Sequence, residues 1–262
     1  MSDEGDSPRP GRWLALVGIC IAAGLVWLAF ADLSIALPTI AQELSVSLTD
    51  LQWANNAFSL TCGALVLAAG RFSDLYGRRK ILLLGIVIFG AFSLATAFLH
   101  SLAGLVVGRA LMGVGAALIL PATLALIPVL FPRREQPTAF GAWMAVAWVG
   151  QAAGPAIGGG LLALFDWPSL FWIAAPLAVA AYLIVRVRAP ESRDENVARG
   201  LDVLGLLTSV GAAFCLLYAL TEGQSIGFGD PLIIGMLVAE VVFVAAALRP
   251  SVDWRPRTNA PK

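Results

Sequence analysis

The chain reads as long apolar runs separated by short polar breaks. Eight runs stand out: Trp13–Ala31, Leu51–Gly70, Ile81–Leu99, Leu102–Leu130, Thr138–Phe165, Trp167–Val185, Val203–Thr221 and Pro231–Leu248. A helix rises about 1.5 Å per residue, so about 20 apolar residues cross roughly 30 Å of bilayer hydrocarbon. Lipid offers no partners to backbone N–H and C=O groups, and a helix satisfies them within itself. The pattern predicts an all-α integral membrane protein with eight spans.

The polar breaks carry their charge unevenly. Arg9 and Arg12 precede the first run; Arg71, Arg78, Arg79 and Lys80 follow the second; Arg133 and Arg134 follow the fourth; Arg186, Arg188, Arg193 and Arg199 follow the sixth; Arg249, Arg255, Arg257 and Lys262 follow the eighth. The alternate breaks, around Glu43 and Asp50, around His100, at Asp166 and from Glu222 to Asp230, hold no Lys or Arg. Basic residues stay on the cytoplasmic side of short loops, so both termini are expected there, in a multi-pass protein of the plasma (inner) membrane. The first run exceeds the roughly 7–15 residues of a secretory signal's apolar region and flows into Asp32–Pro38 without a polar mature start, so it reads as an uncleaved helix.

Composition sharpens the class. Of 262 residues, 59% are hydrophobic and 13% charged, against roughly 25% charged in soluble domains. A soluble globular domain is excluded, and a net charge of zero gives no reason to expect nucleic acid. Cys20, Cys62 and Cys215 sit singly inside apolar runs, without the spacing of a metal site or a disulfide framework. His100 is the only histidine, no HExxH or GxSxG is present, and both lysines, Lys80 and Lys262, lie outside the runs. GxxxxGK[ST] is missing as well. No enzyme and no cofactor is expected, and any pumping should draw on an ion gradient rather than ATP.

Charges at membrane depth cost a few kcal/mol each and mark function by default. There are three: Asp32, Arg109 and Glu240. Counting the helical rise places Arg109 about 10 Å below the outer end of its run and Asp32 near the outer end of the first, depths that differ by only about 8 Å. Pairing lowers the desolvation cost of both, so an Asp32–Arg109 couple lining a cavity is expected. Two readings of it stand open, a proton carrier and a static ion pair that aligns helices. Glu240 lies near the midplane of the last run with no obvious cation. Asn55 and Asn56 are candidates for polar lining, because amides in lipid need partners; Trp143, with Trp27, Phe58 and Trp148, is a candidate for aromatic lining.

Small residues show where helices touch. Gly150, Gly154 and Gly158 recur every fourth residue, letting another backbone approach, and Pro155 bends the same helix. Gly104, Gly108, Gly113 and Gly115 give the fourth run a similar face. Leu37-Pro38-Thr39-Ile40-Ala41 is echoed by Leu120-Pro121-Ala122-Thr123-Leu124-Ala125, as in a three-plus-three inverted repeat.

The loop GRFSDLYGRRK between the second and third runs resembles the signature loop of the major facilitator superfamily, through Gly70, Asp74, Gly77, Arg78 and Arg79. Arg109 with Gly113 and Gly115 resembles the fourth-helix motif that drug:proton antiporters of that superfamily associate with proton transfer. Gly150, Gly154, Pro155, Gly158 and Gly159 resemble their fifth-helix antiporter motif. Residues 200–228 resemble the linker helix of the fourteen-span members, so the resemblance is to their N-terminal part only. It implies a cytoplasmic N-terminus (1–12), a six-helix transporter bundle (13–186), a cytoplasmic loop (187–202), two linker helices (203–249) and a cytoplasmic tail (250–262). It also implies proton-coupled efflux of amphipathic drugs or small molecules, with a second chain as one possible source of the missing bundle. The alternative is a transport-incompetent membrane fragment or assembly partner.

Overall fold

Each apolar run becomes helical. In the computed structural model, which describes residues 11–193 and 203–247, the elements are α1 (Arg12–Ala31), α2 (Leu33–Leu44), α3 (Leu48–Tyr76), α4 (Arg78–Thr96), α5 (Leu102–Leu130), α6 (Gln136–Leu164), α7 (Ser169–Trp172), α8 (Ala174–Arg188), α9 (Val203–Ile226) and α10 (Pro231–Ala247). No strand occurs among the described residues. The chain divides into two units, Met1–Val197 and Ala198–Lys262, described separately below. The expectations for Arg9, Arg199, Arg249, Arg255, Arg257, Lys262 and the tail fall outside the described residues.

Local chemistry sets several helix ends. Ser47 begins α3 by accepting the Asp50 N–H at 3.1 Å, and Ser101 does the same for α5 through Gly104 at 3.1 Å. These hydroxyls satisfy backbone donors that the first helical turn leaves free. The boundaries of α5 coincide with the apolar run read from the sequence.

Two runs depart from the expectation. The first does not end at Ala31: after an interruption at Asp32 the chain continues helically as α2, which turns Leu33, Ala36 and Ile40 inward at helical spacing. Pro38 lies inside α2 and lacks the N–H that would bond one turn back. Asp32 therefore sits in the middle of a bent helical path rather than near its end. The sixth run is split at Ile173 into α7 and α8.

Among the described residues, six helical paths are long and apolar enough to cross a membrane: α1, α3, α4, α5, Ser169–Arg188 and α9. The expected fifth and eighth spans do not meet that criterion. Gly, Ala and Gln dilute the hydropathy of α6 despite its 29 residues, while α10 has 17 described residues.

In the first unit α5 packs between α3 and α4, and α1 packs against α6, α8 and α5. Glycines allow the closest approaches. A Cβ on Gly115 would lie 2.6 Å from the backbone nitrogen of Phe89 and 2.9 Å from the carbonyl oxygen of Gly85; one on Gly113 would lie 2.6 Å from the carbonyl oxygen of Phe58. Without cavities of water between them, membrane helices gain stability from such contact. The bundle's two ends differ in charge. Arg12 pairs with Glu135 at 3.0 Å, and Arg79 lies 3.8 Å from Glu191, so the basic breaks gather at one end. His100 packs edge-on to Trp167 at the other. In the second unit α9 packs on α10, with Gly211 against the Phe243 ring.

Candidate functional site

The only fully buried charged side chain among the described residues is Arg109, on α5. Its Nη2 donates to the carbonyl oxygen of Ala29 at 2.7 Å and to Oδ1 of Asn55 at 3.0 Å. Its guanidinium carbon stands 4.5 Å from the centre of the Phe58 ring, a cation over a π face. Nη1 lies 4.0 Å from Oδ1 of Asp32, and neither Nη1 nor Nε makes a hydrogen bond. One arginine thus joins α5, α3 and the α1–α2 path.

The interruption at Asp32 is part of this geometry. Ala29's carbonyl faces the break, and Arg109 occupies it there. Asp32 is 13% exposed against 0% for Arg109, so the carboxylate is the less deeply buried member of the pair. At 4.0 Å the two charges attract without a hydrogen bond, and a closure of about 1 Å would make one.

Around it, Trp27, Phe30 and Phe58 form a chain of rings, with centroids 5.7 Å and 4.7 Å apart. Asn56 is half-buried beside Asn55 on α3. Trp143 is buried and donates its indole N–H to Thr123 at 3.2 Å, whereas Trp148 is exposed.

The glycine stripe of α6 reaches the same place. Cβ atoms on Gly150, Gly154 and Gly158 would meet Gly24, Ala31 and Asp32 at 3.1, 2.6 and 3.2 Å, so α6 runs along α1 up to the break. Gly159 meets nothing within 4 Å. Its direction is about 100° round the helix from Gly158, so it is not part of that seam. Pro155, one residue past Gly154, is turned from the seam in the same direction and is exposed.

The signature loop lies at the basic end. Asp74 accepts from Arg78 at 3.0 and 3.2 Å, and Arg78 also reaches the carbonyl of Ala125 at 3.4 Å. Gly70 is half-buried near Pro121. Gly77 has φ +112, which L side chains rarely adopt, and a Cβ there would come within 2.6 Å of Glu191 Oε1. Glu191, beyond α8, was not among the residues read from sequence. It accepts the Arg79 N–H at 3.1 Å, while Arg78 N–H donates to the Ser192 carbonyl at 2.8 Å and Arg79 Nη1 to the Ala189 carbonyl at 3.2 Å. Helix α4 has no side-chain cap from its own N-cap residue, so a segment 112 residues away supplies it. Its sequence signal is weak, one of three acids, Glu191, Asp194 and Glu195, interspersed with the arginines that follow α8.

That cap gives a prediction. Glu191→Ala should lower bundle stability by about 1 kcal/mol, the usual worth of a lost N-cap acceptor. Glu191→Gln should keep most of it, since a half-exposed ion pair contributes little. A thiol-reactive dye that reports unfolding at the buried Cys20 and Cys62 measures both; equal melting of wild type and Glu191→Ala refutes the assignment.

In the second unit, Glu240 is half-buried on α10, close enough to Cys215 on α9 to act on it electrostatically. The described residues of that unit contain no Lys, Arg or His.

Comparison with known proteins agrees with this architecture. The Major Facilitator Superfamily profile matches residues 15–255. The tetracenomycin C resistance and export protein of Streptomyces glaucescens is 35% identical over 95% of this chain and 46% of its own length. The puromycin resistance protein of Streptomyces alboniger is 40% identical, covering 91% and 47%. The riboflavin transporter RibZ of Clostridioides difficile is 29% identical, covering 91% and 51%. The chain spans about half the length of these curated relatives. Among solved structures, the POT family transporter PepTSo superposes with a TM-score of 0.65 at 20% identity, over 92% of this chain and 53% of that one. A bacterial homologue of the human lysosomal transporter Spinster, inward-facing and occupied, gives 0.63 at 18%, over 92% and 60%. With its multi-pass helical bundle and a profile match over most of its length, the chain belongs to the Major Facilitator Superfamily, a family of transporters and not of enzymes.

Proposed function

We propose that this chain supplies one bundle of a secondary active exporter that exchanges protons for amphipathic small molecules. The observation that carries the reading is the buried Arg109 guanidinium, with two unbonded nitrogens beside the Asp32 carboxylate. When Asp32 is ionised, attraction draws the pair together; when it is protonated, Arg109 is left to Ala29 and Asn55. Proton binding thereby changes how the α1–α2 break is tied to α5. In the reading, that break is the coupled element, and the α6 stripe of Gly150, Gly154 and Gly158 holds α1 to it. Asn55 anchors Arg109, while Asn56 and Trp143 contribute to the cavity wall.

Alternating access requires two bundles rocking around a central site. Transport is therefore proposed for an assembly of this bundle with a second one, on the same polypeptide or another chain. The loop of Gly70, Asp74, Gly77, Arg78 and Arg79 is its gate at the basic end. Relatives whose names refer to resistance, to drugs or to export make a drug-like substrate the first choice. Eight spans, with α6 and α10 crossing beside the six apolar helices, put the basic breaks in the cytoplasm of the plasma membrane. Within this scheme α9 and α10 are a linker pair.

Asp32→Asn is the test. In proteoliposomes holding the transport-competent assembly under an imposed pH gradient, the variant should lose at least about tenfold of gradient-driven dye movement. Its thermal unfolding should stay near wild type, because the amide retains an oxygen toward Arg109. Undiminished gradient-driven movement would remove Asp32 from coupling.

A further inference from the structure

At the end opposite the signature loop, the α4–α5 and α6–α7 connections enclose an open cavity of about 670 Å³. Its wall includes Phe98, Phe165, Asp166, Ser169 and Trp172. The bundle's other described cavities are lined by hydrocarbon almost throughout; this one combines aromatic rings with a carboxylate.

Three features fit one ligand chemistry. The rings are presented rather than packed away: Phe98, Phe165 and Trp172 are 61%, 62% and 51% exposed. Phe98 and Trp172 stand 5.7 Å apart at 43°, forming a corner. Asp166 is exposed and pairs with no cation among the described residues. This end of the bundle carries Glu43, Asp50 and Asp166 and no Lys or Arg, and the one basic side chain on the cavity wall is His100. Unopposed carboxylates concentrate cations, and aromatic faces hold those too weakly hydrated to stay in water. Next to Asp166 in the chain, Trp167 is fully buried and packs against Phe171 and His100.

We propose that this vestibule binds an organic ammonium ion, with Asp166 compensating its charge and Phe98, Phe165 and Trp172 covering its alkyl groups. The cation is either free in solution or the headgroup of a lipid at the membrane surface, two sources of one chemistry. The site lies away from Arg109, and its occupancy does not rest on the proposed transport cycle.

The test uses the purified chain in a phospholipid-free detergent, with choline as probe and its neutral isostere 3,3-dimethylbutan-1-ol as comparison. Saturation-transfer NMR should detect choline binding in the millimolar range. Asp166→Asn should weaken it about fivefold, and Trp172→Ala about three- to fivefold. The isostere should bind at least about fivefold more weakly than choline. Asp50→Asn, at the same end but outside the cavity, should change nothing. If Trp172→Ala does not fold, Phe165→Ala tests the same wall, as its ring is mostly exposed and contributes little to packing. The proposal is overturned if the isostere binds as well as choline, if Asp166→Asn is silent, or if Asp50→Asn weakens binding as much. Nanodiscs then identify the source: free choline binding that is weaker in phosphatidylcholine than in phosphatidylglycerol assigns the site to a headgroup, and equal binding assigns it to a soluble cation.

Discussion

Arg109→Leu is expected to lower the unfolding temperature of the bundle by about 10 °C, although it removes a charge from the membrane interior. Losing the arginine relieves its own burial cost, roughly 2.5–3.5 kcal/mol at mid-membrane on insertion scales. It also strips partners from three groups: the Ala29 carbonyl, the Asn55 amide oxygen and the Asp32 carboxylate. Each abandoned buried acceptor costs about 1–3 kcal/mol, and a carboxylate more. The lost partners win by about 3 kcal/mol, which at roughly 2–4 °C per kcal/mol gives the stated shift. Asp32→Asn should recover part of it in the double variant, a coupling on the order of 1 kcal/mol, because an amide without a cation is less costly than a carboxylate. Arg109→Lys should fold better than Arg109→Leu yet fail in transport, since an ammonium has no planar fork with which to hold Ala29 and Asn55 while facing Asp32. Thiol-dye melting reads all four proteins. If Arg109→Leu melts at or above the wild-type temperature, the guanidinium is not a structural tie. If Arg109→Lys transports normally, its fork has no role.

The partnership behind that prediction was legible in the sequence for a simple reason: lipid penalises a lone charge so heavily that two opposite ones at similar depth imply each other. Its other contacts were not. The Ala29 carbonyl is backbone, present at every residue, and nothing in the sequence marks which one a side chain will take. The continuation into α2 was hidden because Ser34, Pro38, Gln42 and Glu43 break the apolar run, although Leu33, Ala36 and Ile40 kept a helical period. Apolar length alone located α5 to the residue, since its caps coincide with the polar breaks. In α6 it did not show that the glycines form a seam against α1, a contact that dilutes the hydropathy by which a span is recognised. Gly159 shows the limit from the other direction. It belongs to the same motif as Gly158, but one residue turns it away from the contact. Glu191 escaped because a cap delivered across 112 residues leaves no local spacing to read.

Glycines that look alike in sequence should respond with opposite signs to one substitution. Alanine is intrinsically better than glycine in a helix interior by about 1 kcal/mol, and Gly141, on exposed α6, has nothing within 4 Å of the position of a Cβ. Gly141→Ala should therefore raise stability by up to about 1 kcal/mol. Gly115→Ala brings the same propensity gain into a place where the new carbon would sit 2.6 Å from the Phe89 nitrogen and 2.9 Å from the Gly85 oxygen. Those atoms are backbone in α4, and a carbon needs about 3.5 Å, so the helix as a whole must retreat by several tenths of an ångström. That retreat opens the mutual contact of Gly85 and Gly115 and loosens the surrounding Phe89 and Ile119 packing. Overpacking of this kind costs roughly 1–3 kcal/mol, enough to reverse the propensity gain, and Gly115→Leu should prevent the bundle from folding. Melting of the two alanine variants side by side decides the matter. A stabilised Gly115→Ala would mean that α4 and α5 can separate without loss, and the close approach would then not be what holds α5 and its Arg109 in place.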